Sequence, residues 1–590
     1  MWPYHSPLRN LAKDEVRYRA DRVTWARSIA RFPQPGFNKL SISWAIALAV
    51  LVNAASMLTP IVNAGDSVTY AALAQHMVET GNWVNLVLDS RDWLDKPHFP
   101  FWVTALCFKL FGINAFAYIL PGFLFHLVGG YFTYRIGRLL FGRDSALLAL
   151  LVYVSTFQLM DMASAVKAEA FLTGSITAAC FYWLRFDADS RFKHLLLGAI
   201  FSAIAVMTKG IFTLITLSSG MVCMWLYQRQ FYKLYSAKWL LALTITVLFT
   251  GPEVAALYWQ FDSQPDKLIF GHTHVSGIRF FLWDSQFGRF FNSGPIKNED
   301  GNPWYFLHVF LWTFLPWVGV FFMAMKESVF RSLAQDSAER GKLVFLAGSF
   351  GVTFALFSAT KFQLDYYAAI VYPFAAILCG RYLAGWFDQN PIEERLSAVQ
   401  LVVTGLILGL TLGLAVYVSD PLLLCLVLLA CGLLLAHLLW KRQGPGPSYA
   451  VLVYPVVAVC TLYAFLESMT FLAFSVYSVP YNVNRLLQGL PKAPVVAYQL
   501  DKIVARELNL YGPMPCTAVS QLDQLPSAGH TYYLVIKKVQ LLKIREMIGP
   551  HQNLAHGMWV DHKTGILPRT LRLAKGVEPL ESVHLVKVGP

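Results

Sequence analysis

Long runs of hydrophobic residues, separated by short polar segments, dominate the first 475 residues of the chain. A helix needs roughly 20 apolar residues to cross the hydrocarbon core of a bilayer, and about thirteen segments approach that length. The pattern therefore predicts a mainly α, polytopic bundle of membrane helices. The predicted spans are 41–60, 115–134, 145–160, 169–185, 194–208, 211–227, 239–259, 304–325, 343–358, 366–388, 398–418, 421–440 and 449–475.

Two of the predicted connections are long, at residues 61–114 and 260–303. In the first, the apolar residues of segment 66–79 recur near one face of a helix, which is typical of a helix lying in the membrane interface. Segment 100–111 is apolar but too short to span a bilayer, so it is predicted to be interfacial or re-entrant. The first connection is therefore expected to be structured.

The pattern changes after about residue 475, where charged residues return. The runs APVVAY and TYYLVI are typical of strands, and KVQLLKIREMI is typical of a helix. Residues 476–590 are therefore predicted to form a small α/β domain outside the membrane.

Composition and charge placement agree with a bilayer protein. Hydrophobic residues make up 56% of the chain, the mean hydropathy is +0.48, and only 14% is charged, against about 25% in soluble domains. The net charge of +13 would suggest a nucleic-acid partner in a soluble chain. Here Lys and Arg concentrate in alternate connections, and about 25 of the 48 lie on the side of the N-terminus, as the positive-inside rule requires.

That charge placement predicts the orientation of the chain. Residues 1–40 are expected to be a basic cytoplasmic segment, 41–475 the transmembrane domain, and 476–590 an extracytoplasmic domain. An odd number of spans follows, because the two ends lie on opposite sides. The predicted location is the inner (plasma) membrane of the cell, and nucleic acid is not an expected partner.

The sequence gives no reason to expect a metal or another cofactor. Seven of the eight Cys lie in apolar runs, without a disulfide or metal-binding spacing. His272 and His274 stand two apart in a loop, which is an incomplete ligand set and more typical of a solvated loop.

Isolated ionisable residues stand at span boundaries on the predicted outer side. Such groups are costly near hydrocarbon and usually face a cavity or a partner. A Lys there can also snorkel to the interface, and an acid can favour the start of its helix. These residues are Lys167, Glu169, Lys209, Lys361 and Asp365, and the first long connection adds Asp66, Asp92, Asp95 and Lys96.

Four motifs in order, over about residues 45–390, resemble those of the ArnT-like (lipid A aminoarabinose transferase) and protein O-mannosyltransferase superfamily. The first connection holds Asp66, Tyr70, Gly81-Asn82-Trp83, Asp95-Lys96-Pro97 and Leu110-Phe111-Gly112. The later motifs are Thr208-Lys209-Gly210, FGRFF with Arg289 followed by NPWYFLHVFLWTFLPW, and FSATKFQLDYY with Lys361 and Tyr367.

The chain also departs from the family pattern at several positions, where the donor sugar or the acceptor can differ. Ser67 stands where an acid often follows the first Asp, and Tyr118 occupies the Arg of an RLP motif. His98 replaces a Pro, Glu169 an Asp, and Asp365 stands near a common His.

The resemblance implies a GT-C membrane glycosyltransferase that uses a polyprenyl-phosphate-linked sugar. The acceptor would be a lipid A-like glycolipid, a glycan or a protein. By this resemblance Asp66 and then Glu169 are the candidate catalytic residues. The candidate residues for binding the lipid phosphate and the sugar are Lys96, Tyr70, Asp95, Lys209, Arg289, Lys361 and Tyr367.

The reaction sets physical requirements for these residues. The leaving phosphate gains negative charge in the transition state and must meet cations. An acceptor hydroxyl needs a base, and a carboxylate such as Asp66 can serve. The lipid carrier needs an apolar groove, which segment 99–111 is expected to line.

Other interpretations remain open at this point. Asp66 can act as a helix cap, Lys209 as an anchor for its helix, and Arg289 as a cation–π partner in its aromatic segment. A lipid-linked transporter or flippase would also place charges along a pathway, although no internal repeat is evident. A non-catalytic scaffold would give no reason for Asp66, Lys96 and Lys361 to share one side.

Overall fold

The structure is a computed structural model. It describes residues 37–59, 66–331, 337–388, 394–440, 448–526, 530–559, 567–577 and 580–589. Most of the predicted cytoplasmic segment 1–40 lies outside the described residues.

Helices dominate the described residues, as the hydrophobic pattern predicts. In chain order they are α1 Lys39–Ala55, α2 Asp66–Thr80, α3 Phe99–Phe111, α4 Ala115–Phe141, α5 Arg143–Val154, α6 Phe157–Ala165, α7 Ala168–Asp189, α8 Phe192–Lys209, α9 Thr213–Tyr227, α10 Ala237–Phe249, α11 Gly251–Leu257, α12 Gly277–Arg279, α13 Ser285–Phe291, α14 Tyr305–Thr313, α15 Val318–Arg331, α16 Ser337–Ala359, α17 Tyr372–Asp388, α18 Glu394–Val418, α19 Pro421–Trp440, α20 Tyr454–Tyr477, α21 Val479–Leu487, α22 Lys502–Tyr511, α23 Lys538–Ile544 and α24 Leu567–Ala574.

The chain is a multi-pass membrane protein. Seven helices of the described residues are long and apolar enough to cross a bilayer, and up to ten if each bent helix pair is one span. Helices occupy all thirteen predicted segments, but some are short, such as Thr213–Tyr227 and Pro421–His437. The count of about thirteen spans therefore stays a prediction.

Two of the bent pairs support each other where their helices break. Pro316 lacks a backbone N–H and separates α14 from α15, whose axes differ by 115°. The hydroxyl of Thr156 donates to a carbonyl one turn earlier, which bends helices, and α5 and α6 differ by 56°. The amide of Phe157 at one break donates to the carbonyl of Leu315 at the other, at 3.0 Å. Each break thus satisfies a backbone group that hydrocarbon would leave unpaired.

A buried polar contact joins the first long connection to the helix that precedes the second. These connections, residues 61–114 and 260–303, are the predicted outer loops and are called the first and second outer loop below. Glu253 accepts hydrogen bonds from the amide of His98 at 2.8 Å and pairs with its ring Nδ1 at 2.9 Å. The other ring nitrogen faces the carbonyl of Val84 at 2.8 Å, so both nitrogens have an oxygen partner. Both side chains are fully buried. This contact fixes the chain immediately after Lys96.

Further polar contacts join the two outer loops directly. Gln260 exchanges hydrogen bonds with the backbone of Leu86, at 2.9 and 2.8 Å, and donates to Asp92 at 2.9 Å. Lys267 also pairs with Asp92 at 3.0 Å. The two predicted outer loops are therefore packed into one unit.

The strands of the described residues are β1 Val87–Leu88 and β2 Arg91–Asp92 in the first loop, and then β3 Val495–Tyr498, β4 Cys516–Val519, β5 Tyr532–Lys537, β6 His551–Trp559 and β7 Glu581–Val588. The last five form one mixed sheet near the C-terminus. Its order is β4-β3-β5-β7-β6, with parallel pairs around β3 and antiparallel pairs on both sides of β7. Alternate residues of β3 and β5 pack into two different apolar clusters, so these strands are covered on both faces. The runs predicted as strands lie in β3 and β5.

The contact between His98 and Glu253 gives a prediction about stability. Glu253→Ala leaves a buried amide and a buried imidazole without their acceptor. Removing one partner of a buried pair costs about 3 kcal/mol or more. We therefore expect a lower unfolding temperature for the detergent-solubilised variant. The exposed Glu299→Ala is the matched control and should unfold like the wild type, and equal unfolding temperatures for both variants would contradict this account.

Candidate active site

Asp66 and Tyr70 stand one turn apart at the start of α2, on the same face of the helix. The hydroxyl of Tyr366 donates to Asp66 at 3.4 Å, while Tyr70 is buried edge-to-face against Phe101. Burial, with the nearby charges of Asp66 and Asp95, raises the pKa of Tyr70 well above its ordinary value. Tyr70 therefore stays a neutral hydrogen-bond donor.

Asp95 lies between two cations from different loops. Its carboxylate is 3.5 Å from the Nζ of Lys96 and forms an ion pair with Arg289 on α13. Arg289 also donates to the backbone carbonyl of Asp95 at 3.3 Å. Burial acts to raise the pKa of Asp95, but the two cations outweigh it and hold the pKa below its ordinary value. Asp95 is therefore ionised and holds Lys96 and Arg289 close together.

Lys96 is largely withdrawn from water, with 12% of its side chain exposed. Burial and the neighbouring Arg289 lower the pKa of Lys96, against the attraction of Asp95, Asp66 and Glu169. Asp66 is thus within electrostatic reach of Lys96. Two cations around one carboxylate leave capacity for an additional anion, and charge-assisted hydrogen bonds to phosphate are strong.

Glu169 and Lys209 form a second ion pair close to the first. Glu169 is 1% exposed, and the ammonium of Lys209 also lies 3.4 Å from the centroid of the Tyr367 ring, a cation–π contact. Helix α8 ends at Lys209 because Gly210 has a φ of +104°, and a Cβ there would collide with Gln286. The amide of Gln286 donates to the carbonyl of Lys209 at 3.2 Å. The local backbone thus fixes where Lys209 points.

An apolar cavity adjoins these charges, with about 650 Å³ of empty space, its open mouth included. Its polar lining includes Lys209, Gln286 and Arg289. The expectation that segment 99–111 lines the groove is wrong for this cavity, because α3 packs against α2 and α4 in a separate apolar cluster. The apolar lining includes Phe212, Phe290, Leu356, Phe357, Phe362 and Ile370.

Most of the predicted site residues come together, but Lys361 does not join them. Its side chain is 57% exposed, and its ammonium lies 3.7 Å from the carboxylate of Asp300. The backbone of Lys361 contacts the carbonyl of Phe290 at 2.9 Å, so the residue lies at the rim with its charge directed elsewhere. The residues that do converge are Asp66, Tyr70, Asp95, Lys96, Glu169, Lys209, Arg289 and Tyr367.

Two neighbours of the site, Tyr366 and Gln286, were not predicted, and a third, Lys167, was named only as an ionisable residue at a span boundary. Tyr366 contacts Asp66, and the ammonium of Lys167 lies 4.0 Å from the centroid of the Tyr366 ring. Gln286 stands three residues before Arg289, on the same face of α13. Its polarity in an aromatic segment is the signal that could have identified it.

The chain is similar to several known proteins. Residues 95–259 match the family model described as dolichyl-phosphate-mannose-protein mannosyltransferase. The undecaprenyl phosphate-alpha-4-amino-4-deoxy-L-arabinose arabinosyl transferase 1 of Proteus mirabilis is 26% identical over 343 residues, which are 57% of each chain. The corresponding transferase of Edwardsiella ictaluri is 26% identical over 58% of this chain and 59% of its own.

Among solved structures, the crystal structure of ArnT from Cupriavidus metallidurans bound to undecaprenyl phosphate superposes with a TM-score of 0.64. It is 18% identical and covers 92% of this chain and 97% of its own. The predicted resemblance to the ArnT-like superfamily is confirmed by the family model, by these relatives and by the fold. The ArnT-like fold thus extends over nearly the whole chain, whereas the matches to the curated relatives span less than 60% of their length.

The ion pairs of Asp95 predict a pH-dependent stability. The folded-state pKa of Asp95 is below its ordinary value of 3.8. Its contribution is therefore complete above the unfolded pKa and disappears as the pH falls through the folded value. Asp95→Asn should unfold at a lower temperature than the wild type at pH 7, and the difference should shrink at strongly acidic pH.

Asp266→Asn is the control for this measurement, because Asp266 is exposed in the second outer loop. It should follow the wild type at every pH. A difference between wild type and Asp95→Asn that does not change on acidification would exclude the ion pairs as its cause.

Proposed function

We propose that the protein is a glycosyltransferase that moves a sugar from a polyprenyl-phosphate-linked donor to an acceptor on the extracytoplasmic face of the inner membrane. The observation that carries the proposal is the pair of buried cations, Lys96 and Arg289, held by Asp95 beside an apolar cavity. Asp66 lies within electrostatic reach of Lys96.

The donor that fits this site has a charged head and a long apolar chain. The phenylalanine-rich cavity suits the polyprenyl chain, and the cations beside it suit the phosphate. The curated relatives are named for an undecaprenyl phosphate-linked sugar, and the ArnT crystal structure was obtained with undecaprenyl phosphate. These names support undecaprenyl phosphate as the carrier here.

In the proposed reaction, the bond between the anomeric carbon and the phosphate oxygen breaks, and the phosphate leaves with the electron pair. Lys96 and Arg289 stabilise the charge that develops on it. The acceptor oxygen forms the new bond to the anomeric carbon, and Asp66 takes its proton if the acceptor is a hydroxyl. A phosphate acceptor is already ionised, and Asp66 would then orient it.

The other site residues support these steps. Glu169 is engaged by Lys209, so we assign it the role of holding that cation and regard Asp66 as the better base. Tyr70 and Tyr367 supply hydroxyl groups beside the charges. The rim position of Lys361 suits the approach of a substrate rather than the transition state.

The topology belongs to the same proposal. About thirteen spans, with the N-terminus cytoplasmic and residues 476–590 as an extracytoplasmic domain, would place the site at the outer surface. A lipid A-like glycolipid, a glycan or a protein is the proposed acceptor. The relatives named above are transferases and give no support to a transporter or flippase.

The test is release of undecaprenyl phosphate by the purified protein from a panel of undecaprenyl-phosphate sugars. Loss of a base or of a charge-stabilising donor slows enzymes about 10²- to 10³-fold. We expect such losses for Asp66→Asn, Lys96→Ala and Arg289→Ala, measured at a temperature at which each variant is still folded. Lys361→Ala is the matched control, and its rate of undecaprenyl phosphate release should change by a few-fold at most. Full turnover in Asp66→Asn and Lys96→Ala would reject the proposed site.

A pH profile tests Lys96 separately. Only the protonated ammonium stabilises the leaving phosphate, and burial lowers the pKa of Lys96 from its ordinary value of 10.5. Activity should therefore fall on the alkaline side below pH 10.5. Lys96→Arg keeps its charge and should move this fall to higher pH, even if its overall rate is lower. If activity fell at the same alkaline pH in the wild type and in Lys96→Arg, titration of Lys96 would be excluded as the cause of the fall.

A further inference from the structure

Arg506, on α22 of the C-terminal region, contacts two separate parts of the first outer loop. Its Nε and one terminal nitrogen donate to the two carboxylate oxygens of Asp89, at 3.1 and 2.6 Å. Its other terminal nitrogen donates to the hydroxyl of Thr69 at 3.2 Å. The Arg506 side chain is 17% exposed. One planar guanidinium therefore joins two loop segments that are 20 residues apart in the chain.

The two segments carry the two halves of the proposed site. Thr69 lies on α2, three residues after Asp66 and directly before Tyr70. Asp89 lies in the two-residue turn between β1 and β2, where it and Ser90 have φ values of 51° and 62°, as a tight hairpin turn requires. The chain leaves this hairpin directly toward Asp95 and Lys96. Arg506 is therefore placed to fix the start of α2, which carries Asp66, relative to the hairpin that leads to Lys96.

Other contacts hold α22 on α2 without Arg506. Gln75 donates to the carbonyl of Asn509 at 3.1 Å. Leu510 is buried in the same apolar cluster as Val68 and Tyr70. Removing the guanidinium should therefore leave the helices packed, and the hairpin should keep its contacts with Gln260 but lose its connection to α2. This separation allows a positioning role to be distinguished from a folding role.

We propose that Arg506 is a positioning residue that sets the distance between Asp66 and Lys96, and that the C-terminal region thereby takes part in catalysis. The inference rests on the proposed function. Arg506, Thr69 and Asp89 all lie outside residues 95–259, the range matched by the family model. Displacing a reacting group by about 1 Å can slow a reaction 10²-fold, so a hairpin shift is sufficient to affect the rate.

The test compares Arg506→Ala with Arg485→Ala, an exposed arginine on α21 of the same region. In Arg506→Ala, kcat should fall about 10- to 100-fold, with the donor KM little changed because Lys96, Arg289 and the cavity are intact. Arg506→Lys should recover only part of the loss, because an ammonium lacks the planar fork that reaches both segments. Arg485→Ala should match the wild type, and wild-type kcat in Arg506→Ala would overturn the proposal.

Two further measurements separate positioning from folding. Asp89→Ala combined with Arg506→Ala should be no slower than Arg506→Ala alone, because both substitutions remove the same Arg506–Asp89 ion pair. Additive losses, or an Arg506→Ala protein that unfolds at a clearly lower temperature, would overturn the assignment.

Amide hydrogen exchange gives a readout that needs no activity. In Arg506→Ala, exchange should rise in residues 87–92 and at the start of α2, and stay unchanged in β3–β5. Unchanged exchange in the hairpin would reject the positioning role. A wild-type protein without transferase activity would reject the proposed function, while the exchange result would still decide whether Arg506 holds the hairpin.

Discussion

Asp95 holds two positive charges together where little of either cationic side chain is exposed. Lys96 follows it in the first outer loop, and Arg289 comes from the second, so this one carboxylate joins the two loops chemically. Two buried cations without a counterion would repel each other and carry a large desolvation cost. With Asp95 between them they remain charged and close, and a phosphate that enters must share them with that carboxylate.

The surrounding contacts maintain this arrangement from several directions. His98 and Glu253 fix the chain after Lys96, Gln260 fixes the hairpin before it, and Gln286 fixes the end of the helix that carries Lys209. Each contact uses a polar group that is buried and satisfied, and such groups have few alternative positions. The site is therefore built from rigid loop contacts rather than from a single helix or strand.

The sequence predicted the helices well because long apolar runs have few alternatives in a bilayer. It also identified most of the converging residues, since Asp66, Lys96 and Arg289 stand within recognisable motifs. The direction of a side chain depends on distant partners, and this is why Lys361 was assigned to the site although it pairs with Asp300. The cavity wall was misassigned for the same reason: segment 99–111 is apolar enough, but its neighbours α2 and α4 bury it elsewhere.

The hydrogen bond between Phe157 and Leu315 has a mechanical consequence. The amide of Phe157 and the carbonyl of Leu315 pair with each other where the two bent spans break. Neither span can therefore slide along the other without leaving that amide unpaired in hydrocarbon. Helix α6 begins at Phe157 and ends at Ala165, just before Lys167 and Glu169. The hydrogen bond at the break therefore fixes one end of the short helix whose other end leads into the acidic side of the site.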